Sequence, residues 1–285
     1  MRIDLSSLNH VVTDLYYVKR SEVPVKVRVY PPSSELRKQS PEREKRSMKI
    51  FDCRPIADQL TLDEAGFAVR DHKSSLVDFY DDDAVRETYY PETAALLKEA
   101  TGAQAVFVFD HNVRSRVRSQ RGEIGVREPV EGAHNDYTVD SGPRRVKEVL
   151  EDNNAGHLAG LRSALINVWR PIIGPVQDHP LAICDARSAK LDDFLPTDIE
   201  HYTEGDLHTP SLTGQVYSFQ YNPEHHWYYL SDMRPDEVMF LKCFDSAGDG
   251  RACFTGHTGF VNPDCPSEFT PRESIEARTV VIYPH

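Results

Sequence analysis

His134 and Asp136 stand two residues apart in Gly132-Ala133-His134-Asn135-Asp136-Tyr137-Thr138. On a strand, residues i and i+2 point to one face, so an imidazole and a carboxylate can converge here on one cation. A second histidine would complete a two-histidine, one-carboxylate set, which leaves metal positions open for other ligands. Two places could supply it. One is His257 in Phe254-Thr255-Gly256-His257-Thr258-Gly259-Phe260, and the other is the pair His225 and His226 before Trp227. Chain order favours His257, because a strand carrying Arg272 and Ser274 follows it directly, whereas His226 precedes a whole hairpin. Arg272 and Ser274 share a face by the same two-residue period, and a guanidinium fork grips a carboxylate bidentately where a lysine cannot. Arg278 falls on that face by even spacing and is an alternative anchor.

The texture of the chain says what must position these groups. After residue 160, short apolar or aromatic runs recur at 164–169, 181–185, 215–221, 226–230, 237–244, 251–254 and 278–283, with Pro and Gly between them. That is the pattern of an antiparallel barrel or jelly roll, not of alternating strand and helix. Earlier, 65–70 and 103–109 read as strands. Residues 84–100 read as a helix capped by Gly102, and 143–152 as a second helix opened by Pro143. Residues 21–49 carry Pro24, Pro31, Pro32, Pro41 and the alternating charges of 42–46, and are expected to be a solvated arm. The expectation is a mainly β chain, a double-stranded β-helix core with flanking N-terminal helices. It is divided as a single domain over 1–285: an arm over 1–49, support including the His-x-Asp loop over 50–160, and the main part of the core over 161–285.

Composition excludes several classes. The 285 residues hold 33 Lys and Arg against 45 Asp and Glu, a formal net charge of -12. A nucleic-acid binder would need a basic face, so none is expected as a partner. Arg114, Arg116, Arg118 and Arg121 do cluster, but read as a solvated loop or the hinge of a lid. No apolar run approaches the roughly 20 residues of a membrane span, and no secretory leader is visible, so a cytoplasmic location is expected. The five cysteines show no C-x-x-C spacing and read as reduced, structural thiols. No glycine-rich nucleotide loop is present.

Several blocks together resemble a known family. They are AHNDYT (133–138), NVWRPI (167–172), PLAICDARS (180–188), WYYLSDMRPDEVMFLKCFDS (227–246), HTGF (257–260) and PRESIEAR (271–278). Spread over roughly residues 105–285, they are similar to the CmcJ-like and gibberellin-desaturase-like hydroxylase/desaturases of fungi and bacteria. The resemblance implies a double-stranded β-helix, Fe(II), 2-oxoglutarate as co-substrate, dioxygen, and oxidation of an unactivated C–H bond in a small molecule, mostly in secondary metabolism. It implies His134, Asp136 and His257 as iron ligands, and Arg272 assisted by Ser274 as the holder of the 2-oxoglutarate carboxylate. The interval from His257 to Arg272 is longer than in many such oxygenases, which keeps Arg278 open as the anchor. Asn167 is a candidate for hydrogen bonding 2-oxoglutarate. Tyr137, Trp169, Arg170 and His226 are candidates for substrate contact, with Arg170 on the strand face opposite Asn167 and Trp169. Given the available arginines, the substrate is expected to be small and to carry a carboxylate. A cupin-type metal enzyme that does not use 2-oxoglutarate, a dioxygenase or an isomerase, is the alternative; it would keep His134 and Asp136 but have no need of Arg272.

Overall fold

The computed structural model describes residues 3–21, 24–31, 33–36 and 38–284. Its first strands are β1 (His10–Val18), β2 (Val25–Val29), β3 (Arg43–Asp52), β4 (Phe67–Asp71), β5 (Ala105–Ser115), β6 (Val126–Arg127) and β7 (His134–Asn135). They are followed by β8 (Ser163–Pro171), β9 (Leu181–Cys184), β10 (Phe194–His201), β11 (Leu212–Phe219), β12 (Trp227–Tyr229), β13 (Glu237–Asp245), β14 (His257–Gly259) and β15 (Glu273–Ile282). The α-helices are α1 (Asp82–Ala84), α2 (Tyr90–Thr101), α3 (Arg116–Gln120) and α4 (Ser141–Asp152).

Two sheets form the double-stranded β-helix. One runs β1-β3-β12-β9-β14-β7-β11-β10-β2 and the other β4-β13-β8-β15-β5-β6. The core between them joins Ile183 and Tyr228 of the first sheet to Leu165, Leu241, Val280 and Ile282 of the second. The outer face of the second sheet is covered by α2, where Leu97 packs on Ile166, Val168 and Phe240. Central β8 is buried along its whole length because both its faces are covered. Its odd residues face the space between the sheets and its even residues face the helices.

Two expectations are corrected. The segment 21–49 is not a solvated arm where it is described. Val25–Val29 pairs in parallel with β10, and Arg43–Asp52 pairs along its length with β1. The charged run of 42–46 misled because an alternating strand with one face on solvent looks like a charged linker; Pro32 lies outside the described residues. Likewise 251–254 is irregular chain, not a strand, while β10, interrupted in sequence by Pro196, Asp198 and Glu200, is one.

Candidate metal and co-substrate site

Strand pairing brings the two histidines together. His134 on β7 lies directly opposite His257 on β14, and β11 flanks β7 on its other side. The rings stand 4.4 Å apart, centroid to centroid. The strand ends at Asn135, whose buried amide donates to the Tyr137 carbonyl at 2.6 Å and the Cys243 carbonyl at 2.9 Å. That anchored turn swings Asp136 back to His134, with Nε2 and Oδ1 3.5 Å apart. Potential donor atoms of His134, Asp136 and His257 all lie within 4.8 Å of one another.

The surroundings suit these atoms to ligation. His134 Nδ1 is 2.7 Å from the Gly132 carbonyl, an acceptor only, so the proton sits on Nδ1 and Nε2 keeps its lone pair. Asn167, fully buried on the inner face of β8, donates to Asp136 Oδ2 at 2.7 Å and leaves Oδ1 on the His134 side. Burial alone would raise the Asp136 pKa, but its two histidine neighbours, His134 before His257, outweigh it and hold the carboxyl below the usual carboxylate range. Burial, then the His134 charge, lowers His257 to about 3, so its ring is neutral near pH 7. Its Nδ1 is buried without a partner among the described residues. Two imidazoles converging with an ionised carboxylate fit a divalent transition metal.

Arg272 stands beside this cluster. It is buried, and its guanidinium lies 4.9 Å from the centre of the Trp169 ring. Nε donates to Ser274 Oγ at 3.2 Å and Nη1 to the His179 carbonyl at 2.8 Å. The carboxylate of Asp178 is taken by the Arg272 backbone N–H, so no acidic side chain forms an ion pair with the guanidinium among the described residues. Burial lowers its pKa to about 9, still charged at neutral pH. Gly259 passes within 3.4 Å of Nη1, measured from where a Cβ would sit, which places the guanidinium two residues along β14 from His257. Between Phe260 and Arg272 the chain is a loop without strands, which accommodates the long interval. Arg278 differs: its Nη2 is hydrogen bonded to Asp110, so its charge is already matched.

Other sequence candidates fall elsewhere. Arg170, on an even position of β8, points to the helices, 5.1 Å over the Tyr89 ring and 2.5 Å from His72 Nδ1. It therefore does not face the metal cluster, which corrects its assignment to the substrate. His226 is exposed beside Ser188 and lines a separate surface groove with Arg187, Lys190 and Tyr228. His225 is enclosed, with Nε2 3.0 Å from Asp193 and its ring stacked on Phe219, so it serves neither metal nor solvent. Tyr137 and Trp169 are buried in the core that borders the cluster. Sequence reading missed Glu276, a buried carboxyl raised first by burial and then by the Asp136 charge. The period that groups Arg272, Ser274 and Arg278 passes through it, so the signal was present.

A protein-family model described as an oxidoreductase/YMDC permease-like domain matches residues 15–282. Among the described residues no helix is long and apolar enough to cross a membrane. The chain is 33% identical over 248 residues to the hydroxylase/desaturase efuI of Hormonema carpetanum, covering 82% of each chain. It is 31% identical to the Fe(II)/2-oxoglutarate-dependent dioxygenase nvfI of Aspergillus novofumigatus, again covering 82% of each. The solved structure of the iron and alpha-ketoglutarate-dependent endoperoxidase NvfI superposes with a TM-score of 0.83 at 27% identity, covering 97% of this chain and 99% of that one. The fold and the site define a double-stranded β-helix oxidoreductase. The chain belongs to the hydroxylase/desaturase family of Fe(II)/2-oxoglutarate-dependent oxygenases.

Proposed function

We propose that the protein uses Fe(II), 2-oxoglutarate and dioxygen to oxidise an unactivated C–H bond of a small molecule in secondary metabolism, by hydroxylation, desaturation or oxidative ring closure. The observation that carries this reading is the juxtaposition of three convergent donors, His134, Asp136 and His257, with a buried guanidinium, Arg272, that has no acidic side-chain partner among the described residues. The three donors would hold the iron, and Arg272 with Ser274 the distal carboxylate of 2-oxoglutarate. Bound iron and co-substrate supply the oxidising power for hydrogen abstraction. The chain's own residues orient and enclose. Asn167 fixes the carboxylate of Asp136, and the Gly132 carbonyl fixes the tautomer of His134. Trp169 covers the Arg272 guanidinium, and Tyr137 extends the apolar wall that excludes water. The family match over 15–282 spans both sheets, which supports reading the chain as one catalytic unit. The five free cysteines, three of them buried, are consistent with a reducing compartment such as the cytoplasm.

The test is product formation without a prime substrate. Enzyme given Fe(II), 2-oxoglutarate and air is expected to release succinate slowly, and His134→Ala to release none above the protein-free rate. Succinate formation that persists unchanged in His134→Ala would overturn the assignment.

A further inference from the structure

The site holds more positive charge than the co-substrate accounts for. Arg114, on β5, faces Ser274 across the sheet, on the same inner face as Arg272, Ser274, Glu276 and Arg278. Its Nη1 donates to the Glu128 carbonyl at 2.8 Å, and among the described residues it makes no ion pair within 4 Å. Glu276 and Asp136 are the acids that act on it, at longer range, while Arg127 and Arg278 repel it. Two further cations approach. Arg43 lays its guanidinium over Gly132, with Cζ 2.6 Å from where a Cβ would sit, so the glycine is what admits it two residues before His134. Lys38 stands near both Arg43 and Arg114, which repel its charge. In a chain of net charge -12, three cations gathered beside His134 and Ser274, with Glu131 the acid that acts on Arg43, leave a local surplus of positive charge that an anion would match.

We propose that Arg114 binds a carboxylate of the prime substrate, with Arg43 and Lys38 at the mouth drawing that anion in. The inference rests on the 2-oxoglutarate reading, which assigns Arg272 to the co-substrate and leaves Arg114 over. Arg114 acts here as a substrate-binding residue, its two-nitrogen edge matching the two carboxylate oxygens.

The probes are 4-phenylbutyrate and its primary amide, alike in size and shape but differing in charge. They are titrated by ligand-observed NMR into Zn(II)-loaded enzyme saturated with the inert co-substrate analogue N-oxalylglycine. Wild type is expected to prefer the acid by about tenfold, the scale of one charge-assisted contact. Arg114→Gln is expected to erase that preference and Arg114→Lys to retain part of it, with N-oxalylglycine affinity held within about threefold in both. Equal binding of acid and amide by wild type, or a preference that survives in Arg114→Gln, overturns the proposal. A fall in N-oxalylglycine affinity as large as in Arg272→Ala gives Arg114 to the co-substrate and overturns it equally. If N-oxalylglycine fails to bind wild type, the co-substrate reading falls, and the acid-against-amide comparison on the Zn(II) protein still decides the anion site.

Discussion

Replacing Arg272 with Met separates its two roles, in binding and in folding. The guanidinium gives one N–H to Ser274 and one to the His179 carbonyl, and Nη2 has no protein partner among the described residues. A carboxylate arriving there would receive a desolvated, charge-assisted contact. Removing one partner of such a pair costs about 2–5 kcal/mol, so the 2-oxoglutarate Kd should rise by roughly 30-fold or more. Folding should respond in the opposite way. Without ligand, Arg272 is a desolvated cation with no carboxylate side chain paired to it among the described residues, and an apolar replacement of similar length is neutral or stabilising. The assay is calorimetric titration of the Zn(II)-loaded protein with 2-oxoglutarate, beside a melting curve without it. Arg278→Met is the control: it deprives Asp110 of its partner and removes the cation facing Asp136, so it should lower Tm while leaving the co-substrate Kd nearer wild type. Wild-type 2-oxoglutarate affinity in Arg272→Met, with loss in Arg278→Met, would refute the reasoning and move the anchor to Arg278.

Other consequences are as direct. Asn167→Leu removes the donor to Asp136 Oδ2 and should weaken metal binding by about 10- to 100-fold with the three ligands intact, measured by competition with a chromophoric chelator. Lys242 is fully buried between Asp245 and Asp63, so Lys242→Met should cost roughly 3 kcal/mol in chemical denaturation, because among the described residues buried Asp245 then keeps Arg162 as its one ion-pair partner beside the Ala247 N–H. The β2–β10 pairing is stitched by Glu200, which hydrogen bonds with Lys26, Tyr202 and Arg28 that lower its pKa to about 2. A carboxylate lowered in the folded state stabilises above its unfolded pKa, and that stability is lost as pH falls from about 4.5 toward 2. Glu200→Gln should flatten this acid limb of Tm against pH; an unchanged limb would remove Glu200 as its source.

Particular residues show how much the sequence disclosed. The β-helix class was legible because short apolar runs mark β8, β13 and the second half of β15 between turn residues. His134 and Asp136 were suggested by their spacing and His257 by chain order and the family resemblance, although β7 ends at Asn135 and a turn, not the strand period, returns Asp136 to His134. Their meeting needed information that spacing lacks, namely the register that sets His134 against His257. Arg170 shows the same limit: alternation put it opposite Asn167, but only the second layer of helices decides which face looks inward. Arg114 was hidden for a different reason. It begins a run of arginines, and a run of charge reads as solvated loop until β5 is seen to carry its first member inward. The N-terminal strands were missed because half-exposed strands rich in Lys, Arg and Glu have no apolar run to mark them.

The central claim is that one metal centre built by His134, Asp136 and His257 chelates 2-oxoglutarate. Anaerobic titration of the Fe(II)-loaded protein with 2-oxoglutarate tests it most directly, through the visible metal-to-ligand charge-transfer band. The account predicts a band that saturates at one equivalent in wild type and is absent in His134→Ala. Iron that binds at one equivalent with no band in wild type, or a band that persists in His134→Ala, would contradict it.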